Sequence, residues 1–260
     1  MHKPAAAVAS TQSAPSAKSA TSVPLDSIGP LRHFVQAVTR IIDEAQRNHI
    51  PGQSRAASTA LRQVKIGHVE INQAEISEAE IVRAIRPELA TLIANDEWLP
   101  AEFRKAHPEY YQQYLLYCDP YERFSIQSFV WGPGQTTPIH DHTVWGLVGV
   151  LCGAELCQRY SQDPQTGALI KQGGPAILKA KEIDLVSPTV GDIHTVANAL
   201  SDQDSISIHV YGANIGGTAR HVFDPVSGAV KPFVSGYSST VSPNLWDRSA
   251  AVRADLTQAS

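Results

Sequence analysis

Long apolar runs are missing from this 260-residue chain, and no stretch approaches the roughly 20 residues that a membrane-spanning helix needs, so no membrane partner is expected. Cysteine is scarce. Cys118, Cys152 and Cys157 are odd in number and show no metal-finger spacing, so they read as reduced thiols and point to a cytoplasmic protein. Cys152 and Cys157 are expected as small buried hydrophobes on or near core strands. A dominant charge is also missing. With 21 Lys+Arg against 25 Asp+Glu, the net charge of −4 is too mild to suggest a nucleic-acid or membrane-surface protein. Residues 1–28 lack arginine and lack the apolar segment of a secretory signal. They are rich in Ala, Ser, Thr and Pro, a composition that cannot bury enough surface to offset ordering entropy, and so predict a disordered tail. The remaining chain suffices for one sizeable core, read as a single domain over residues 29–245 with a C-terminal tail at 246–260.

From Pro30 the pattern changes. Leu31, Phe34, Val35, Val38, Ile41 and Ile42 recur at helical spacing. Residues 58–64 suit a short second helix, and Ser77-x-x-Glu80 forms a capping-box pattern ahead of Ile81, Ala84, Ile85 and Leu89. Two or three helices before residue 105 are expected to cover one face of the remaining domain. Beyond the Tyr-rich segment that opens at Tyr110, the rhythm becomes β. FSIQSFVW, VWGLVGVL, LCQRY, ALI, AILKA, EIDLV, SISIHVYG and AVKPF are short runs separated by turn signals, and they predict an all-β barrel or sandwich. No internal repeat is visible.

Three histidines carry most of the chemistry. His140 and His142 lie two apart, so on a strand they project to one face, roughly 7 Å apart at the backbone. Asp141 points the other way and reads as structural. His194 lies in a second motif, PTVGDIHTVAN. Neutral imidazole is a favoured ligand for iron, zinc, copper and nickel, so the three together read as one mononuclear site with open coordination positions. A further constellation runs from Ser205 to Tyr211. Ser207, His209 and Tyr211 share one strand face, while Ile206, Ile208 and Val210 share the other. A polar face turned inward makes sense where the interior is an active site, and hydroxyl, imidazole and phenol in file can relay hydrogen bonds. The competing reading is the solvent-exposed face of an ordinary amphipathic strand.

Gly134-x5-His140-x-His142-x3-Gly146-x6-Gly153 and Gly191-x2-His194-x3-Asn198 resemble the two motifs of the cupin superfamily, whose fold is a double-stranded β-helix. Family members usually carry a glutamate where this chain has Gly146. The resemblance therefore implies an all-histidine site, one that leaves a divalent metal its full charge and favours a thiolate ligand. With Ser207-x-His209-x-Tyr211 following, residues 108–225 are similar to the thiol dioxygenases of the cysteine dioxygenase family. That implies one Fe(II) per chain on His140, His142 and His194, with Ser207, His209 and Tyr211 as a catalytic relay. No cysteine follows His142 closely, so a thioether cross-link to Tyr211 is not expected. Gln113 stands where relatives place a carboxylate-binding arginine, and the pattern is closest to bacterial 3-mercaptopropionate dioxygenases. Arg220 is the candidate to hold the substrate carboxylate, with Arg123 a competitor and Gln113 a second substrate contact. The expected partners are a small thiol carboxylate and O2. The alternatives are L-cysteine dioxygenase, a zinc or nickel cupin isomerase that uses no O2, and a non-catalytic ligand-binding cupin.

Overall fold

The computed structural model describes residues 28–47, 62–66, 69–73, 78–239 and 249–258. Helix α1 spans Gly29–Arg47 and buries Phe34, Ala37, Val38, Ile42 and Ala45, the stripe that the apolar spacing predicts. Strands β1 (Arg62–Ile66) and β2 (Val69–Gln73) form an antiparallel hairpin. Residues 62–64 therefore lie in a strand and not in the expected helix, while residues 58–61 fall outside the described residues. The β-branched Val64, Ile66, Val69 and Ile71 alternate, and that period of two outweighs the weaker helical pattern. Helix α2 spans Glu78–Leu92 and buries Val82, Ile85, Leu89 and Leu92. Ser77 of the capping box lies outside the described residues, as do the tail residues 1–27.

Strands then succeed one another. They are β3 (Gln112–Cys118), β4 (Ser125–Trp131), β5 (Ile139–His140), β6 (Gly146–Cys152), β7 (Ala154–Gln162), β8 (Leu169–Lys179) and β9 (Ile183–Val186). After them come β10 (Ile193–Asn198), β11 (Ser205–Tyr211), β12 (Arg220–Phe223) and β13 (Val230–Phe233). The two runs ALI and AILKA join into one strand, β8, across Gly173–Gly174, where the pairing with β7 shifts register. Within the segment read as a C-terminal tail, Ser249–Gln258 form a helix, α3.

The strands close into two antiparallel sheets, in the orders β13-β12-β5-β10-β7-β8 and β3-β4-β11-β6-β9. Facing each other, they make the double-stranded β-helix expected from the motifs. The helices supply the predicted N-terminal layer. Phe34, Val38, Ile42, Val82, Ile85 and Leu89 share one core with Ile126, Val130, Leu147, Ile206, Ile208 and Val210 on the outer face of the five-stranded sheet. This explains the reversed polarity of β11. Its apolar side is covered by helices, at roughly 1.5–3 kcal/mol of favourable burial per aliphatic side chain, and its polar side faces the barrel interior. All seven β11 residues are buried, so the solvent-exposed reading of that strand is wrong. Gly153, at φ +81°, turns β6 into β7 against Ser205, where a Cβ would lie 2.7 Å from the Ser205 Cα.

Candidate metal centre and substrate pocket

The histidines come from the six-stranded sheet. His140 on β5 stands directly opposite His194 on β10. His142 lies just past the end of β5, where Thr143 takes a left-handed φ of 61°. The Asp192 carboxylate holds this turn. It accepts from the backbone N–H of His142 at 3.0 Å and of Thr143 at 2.8 Å, and from His142 Nδ1 at 2.9 Å. The three imidazole centroids are mutually 4.9 Å apart, and their candidate ligand atoms all lie within 4.8 Å of one another.

The ring nitrogens are already sorted. His140 Nδ1 sits 3.0 Å from the Pro138 carbonyl and His142 Nδ1 faces Asp192, both acceptors, so in each ring Nδ1 carries the proton and Nε2 is free to bind a metal. His194 Nδ1 lies 3.5 Å from Cys157 Sγ. Burial holds all three rings neutral. It pushes His140 down to about 4 and His142 and His194 well below the ordinary histidine value; the Arg220 charge adds to the effect at His140, and the neighbouring histidines add to it at His142 and His194. Neutral, convergent and pre-oriented imidazoles fit a divalent transition metal.

Across the interior, β11 contributes the relay. Ser207 Oγ lies 2.8 Å from His209 Nε2, and His209 Nδ1 lies 2.8 Å from the Tyr211 hydroxyl. The Tyr211 ring stacks on His142 at 5.3 Å. Gly146 makes room for it, since a Cβ there would meet two Tyr211 ring carbons at 2.5 Å. The position where relatives of the fold place a glutamate thus cannot hold any side chain while Tyr211 keeps this pose.

Arg220 opens β12 and points into the same pocket. Asp141, on the face away from the metal ligands, fixes that strand by accepting from His221 N–H at 2.7 Å and pairing with His221 Nδ1 at 2.8 Å. Only 5% exposed, the Arg220 guanidinium lies over the Phe233 ring at 4.6 Å and donates to Ser235 Oγ at 2.7 Å. Among the described residues its Nε has no hydrogen-bond partner, and neither does Nε2 of buried Gln113. Both residues line the pocket with the histidines and Tyr211, and the space left is small, about 30 Å³. Arg123 is no competitor. It is committed to Asp119 at 2.8 Å and Asp43 at 2.7 Å. His33 and His107 do not line this pocket, and His2, His49 and His68 lie outside the described residues.

Sequence reasoning missed Asp192. Alternation gives it away, because Asp192 and His194 are two apart at the start of β10. We expect Asp192→Ala to weaken metal binding by roughly 10–100-fold, measured by competition against a chelator; unchanged affinity would show that His142 needs no such support. Cys152 and Cys157 are half-buried, not fully buried as expected, while Cys118 is buried.

No protein-family model matches the chain. Among solved structures it is similar to a cupin-superfamily protein of Desulfitobacterium hafniense, at 14% identity over 45% of this chain and 90% of that one, with a TM-score of 0.34. A Klebsiella pneumoniae protein with a double-stranded β-helix domain matches at 20% identity over 44% and 88%, TM-score 0.33. An oxalate oxidase in complex with glycolate matches at 18% identity over 47% and 63%, TM-score 0.35. Scores of this size carry no argument, and the fold assignment stands on the strand pairing. No helix among the described residues is long and apolar enough to cross a membrane.

Proposed function

We propose that this protein is a non-haem iron(II) thiol dioxygenase that converts 3-mercaptopropionate and O2 to 3-sulfinopropionate. The observation that carries this reading is a three-histidine site and a buried arginine, with no acidic partner among the described residues, in one small pocket. Iron(II) on His140, His142 and His194 would supply coordination positions for a thiolate and for O2, with its positive charge unreduced by any protein carboxylate.

The chain's own residues do the rest. A desolvated cation without a counter-ion is costly to keep buried, and the unpartnered Arg220 Nε and Gln113 Nε2 are donors waiting for an acceptor. A carboxylate satisfies both. The guanidinium fork suits it bidentately, and the anchor fixes the sulfur end against the histidines. Tyr211, held by His209 and Ser207, presents its hydroxyl at the pocket wall. Burial raises its pKa, so it stays a neutral phenol that can exchange hydrogen bonds with substrate. Tyr211→Phe is expected to lower kcat by roughly 10²-fold, in the range of a lost general acid–base group, with iron content unchanged; unaltered kinetics would remove the hydroxyl from the mechanism.

Among the residues lining the pocket there is no carboxylate to receive an ammonium group, which favours 3-mercaptopropionate over cysteine. Steady-state O2 uptake by iron-loaded protein with 3-mercaptopropionate, cysteine, cysteamine and mercaptosuccinate tests the assignment. The largest kcat/KM is expected for 3-mercaptopropionate. A larger value for cysteine would make the protein a cysteine dioxygenase, and no uptake with any thiol would leave a metal-binding cupin of another kind.

A further inference from the structure

Two sheet edges meet at the pocket, and one segment closes both. β13 is the outer strand of the six-stranded sheet and β3 the outer strand of the five-stranded sheet, and each lends a residue to the pocket wall. Residues 234–239 run from the end of β13 to the side of β3. Phe233 and Ser235 are two apart and both meet Arg220. The guanidinium lies over the Phe233 ring at 4.6 Å, and its Nη2 donates to Ser235 Oγ at 2.7 Å. Gly236, at φ +69°, then turns the chain and donates its N–H to the Gly216 carbonyl at 3.0 Å. Ser238 reaches Gln113. It donates its N–H to the Gln113 carbonyl at 2.7 Å, and its Oγ accepts from the Gln113 N–H at 3.1 Å. One strap therefore touches both residues that the proposed function assigns to the substrate carboxylate.

Chemistry fixes the direction of the Ser235 bond. A guanidinium carries five N–H donors and no acceptor, so Ser235 can only accept from it, and the hydroxyl proton must go elsewhere. Among the described residues no group accepts that proton. Ser235 also lines the pocket, together with Arg220 and Gln113. A hydroxyl that accepts from a cation is polarised by it and becomes a better donor.

We propose that Ser235 is a substrate-contact residue, whose hydroxyl donates to the carboxylate of the thiol acid alongside Arg220 and Gln113. The inference rests on the thiol-acid reading of the pocket and adds to it a third donor. A carboxylate offers about four lone-pair sites. The arginine fork fills two of them. Gln113 Nε2, which has no other partner among the described residues, fills the third, and the Ser235 O–H fills the fourth. Donors and acceptors then balance. A neutral amide of the same length presents one carbonyl oxygen with two lone pairs, so it leaves donors unpaired at a cost that favours the acid. Selectivity for the anion thus comes from the strap as well as from the arginine charge.

Calorimetric titrations of iron-loaded protein without O2 test this directly. The ligands are 3-mercaptopropionate and propanethiol, which has the thiol and the same reach but no carboxylate. Ser235→Ala should weaken binding of 3-mercaptopropionate roughly 10–100-fold, the worth of a hydrogen bond to a charged group, and leave propanethiol unchanged. Added to Arg220→Ala, the same substitution should weaken the acid again. No further loss in that background would show that Ser235 only braces the guanidinium, and would overturn the contact. Equal losses for both ligands, or an unchanged affinity for the acid, overturn it as well and leave the dioxygenase intact. Propionate titrated into metal-free protein separates the two readings. Weaker propionate binding in Ser235→Ala supports the Ser235 contact even where no thiol drives O2 uptake, a result that sinks only the dioxygenase.

Discussion

His194→Ala is expected to abolish thiol-dependent O2 uptake and to leave the protein without retained metal after dialysis, while the barrel stays folded. Among the described residues His194 is one of three donors in the cluster, and no carboxylate lies there to replace it. Loss of a supporting residue behind a ligand already weakens metal binding by roughly 10–100-fold; loss of a ligand itself must exceed that, so added iron should not restore turnover. The stability change should be modest, on the order of 1–3 kcal/mol for a truncated buried side chain. Its backbone pairing to Arg159 and His140 does not depend on the imidazole. Metal analysis with an O2 electrode checks the outcome. A variant that keeps stoichiometric iron would show that the metal is held elsewhere.

The second large effect concerns Arg220. Arg220→Ala should lower kcat/KM for 3-mercaptopropionate by roughly 10²–10³-fold, mainly through KM. A buried, hydrogen-bonded ion pair is worth roughly 2–5 kcal/mol when one partner is truncated, and each 1.4 kcal/mol is about tenfold. The guanidinium is desolvated, braced by Ser235 and the Phe233 ring, and left with a free Nε, so most of that energy is available to a substrate carboxylate. Arg220→Lys should recover little, because a point charge cannot reproduce the planar fork. Iron content is expected to stay at the wild-type level. If iron is lost instead, Arg220 is a structural residue of β12, and the carboxylate must be held by another group.

Much of this site is legible in the sequence, and the reason is periodicity. The β11 pattern Ser-Ile-Ser-Ile-His-Val-Tyr obeys a period of two so strictly that one face has to differ chemically from the other. The sequence predicts that helices cover one face of the domain, but that this face is the apolar side of β11 is a tertiary fact. Spacing likewise joins His140 to His142. The bond that sets His142, however, comes from Asp192, 50 residues away in sequence, through a turn in which Thr143 takes a positive φ. Arg220 is placed by resemblance alone; its position depends on the contact between Asp141 and His221, which no local pattern encodes. The hairpin of β1 and β2 escapes a reading by pattern because alternation and helical spacing compete there over a few residues.

Whether this pocket places both atoms of O2 on the sulfur of a small thiol acid, as we propose, is tested most directly by isotopically labelled dioxygen, with iron-loaded protein, 3-mercaptopropionate and mass analysis of the product. The expected result is 3-sulfinopropionate carrying two labelled oxygens, with one O2 consumed per thiol. Disulfide as the product, a single labelled oxygen, or no uptake of O2 would contradict it.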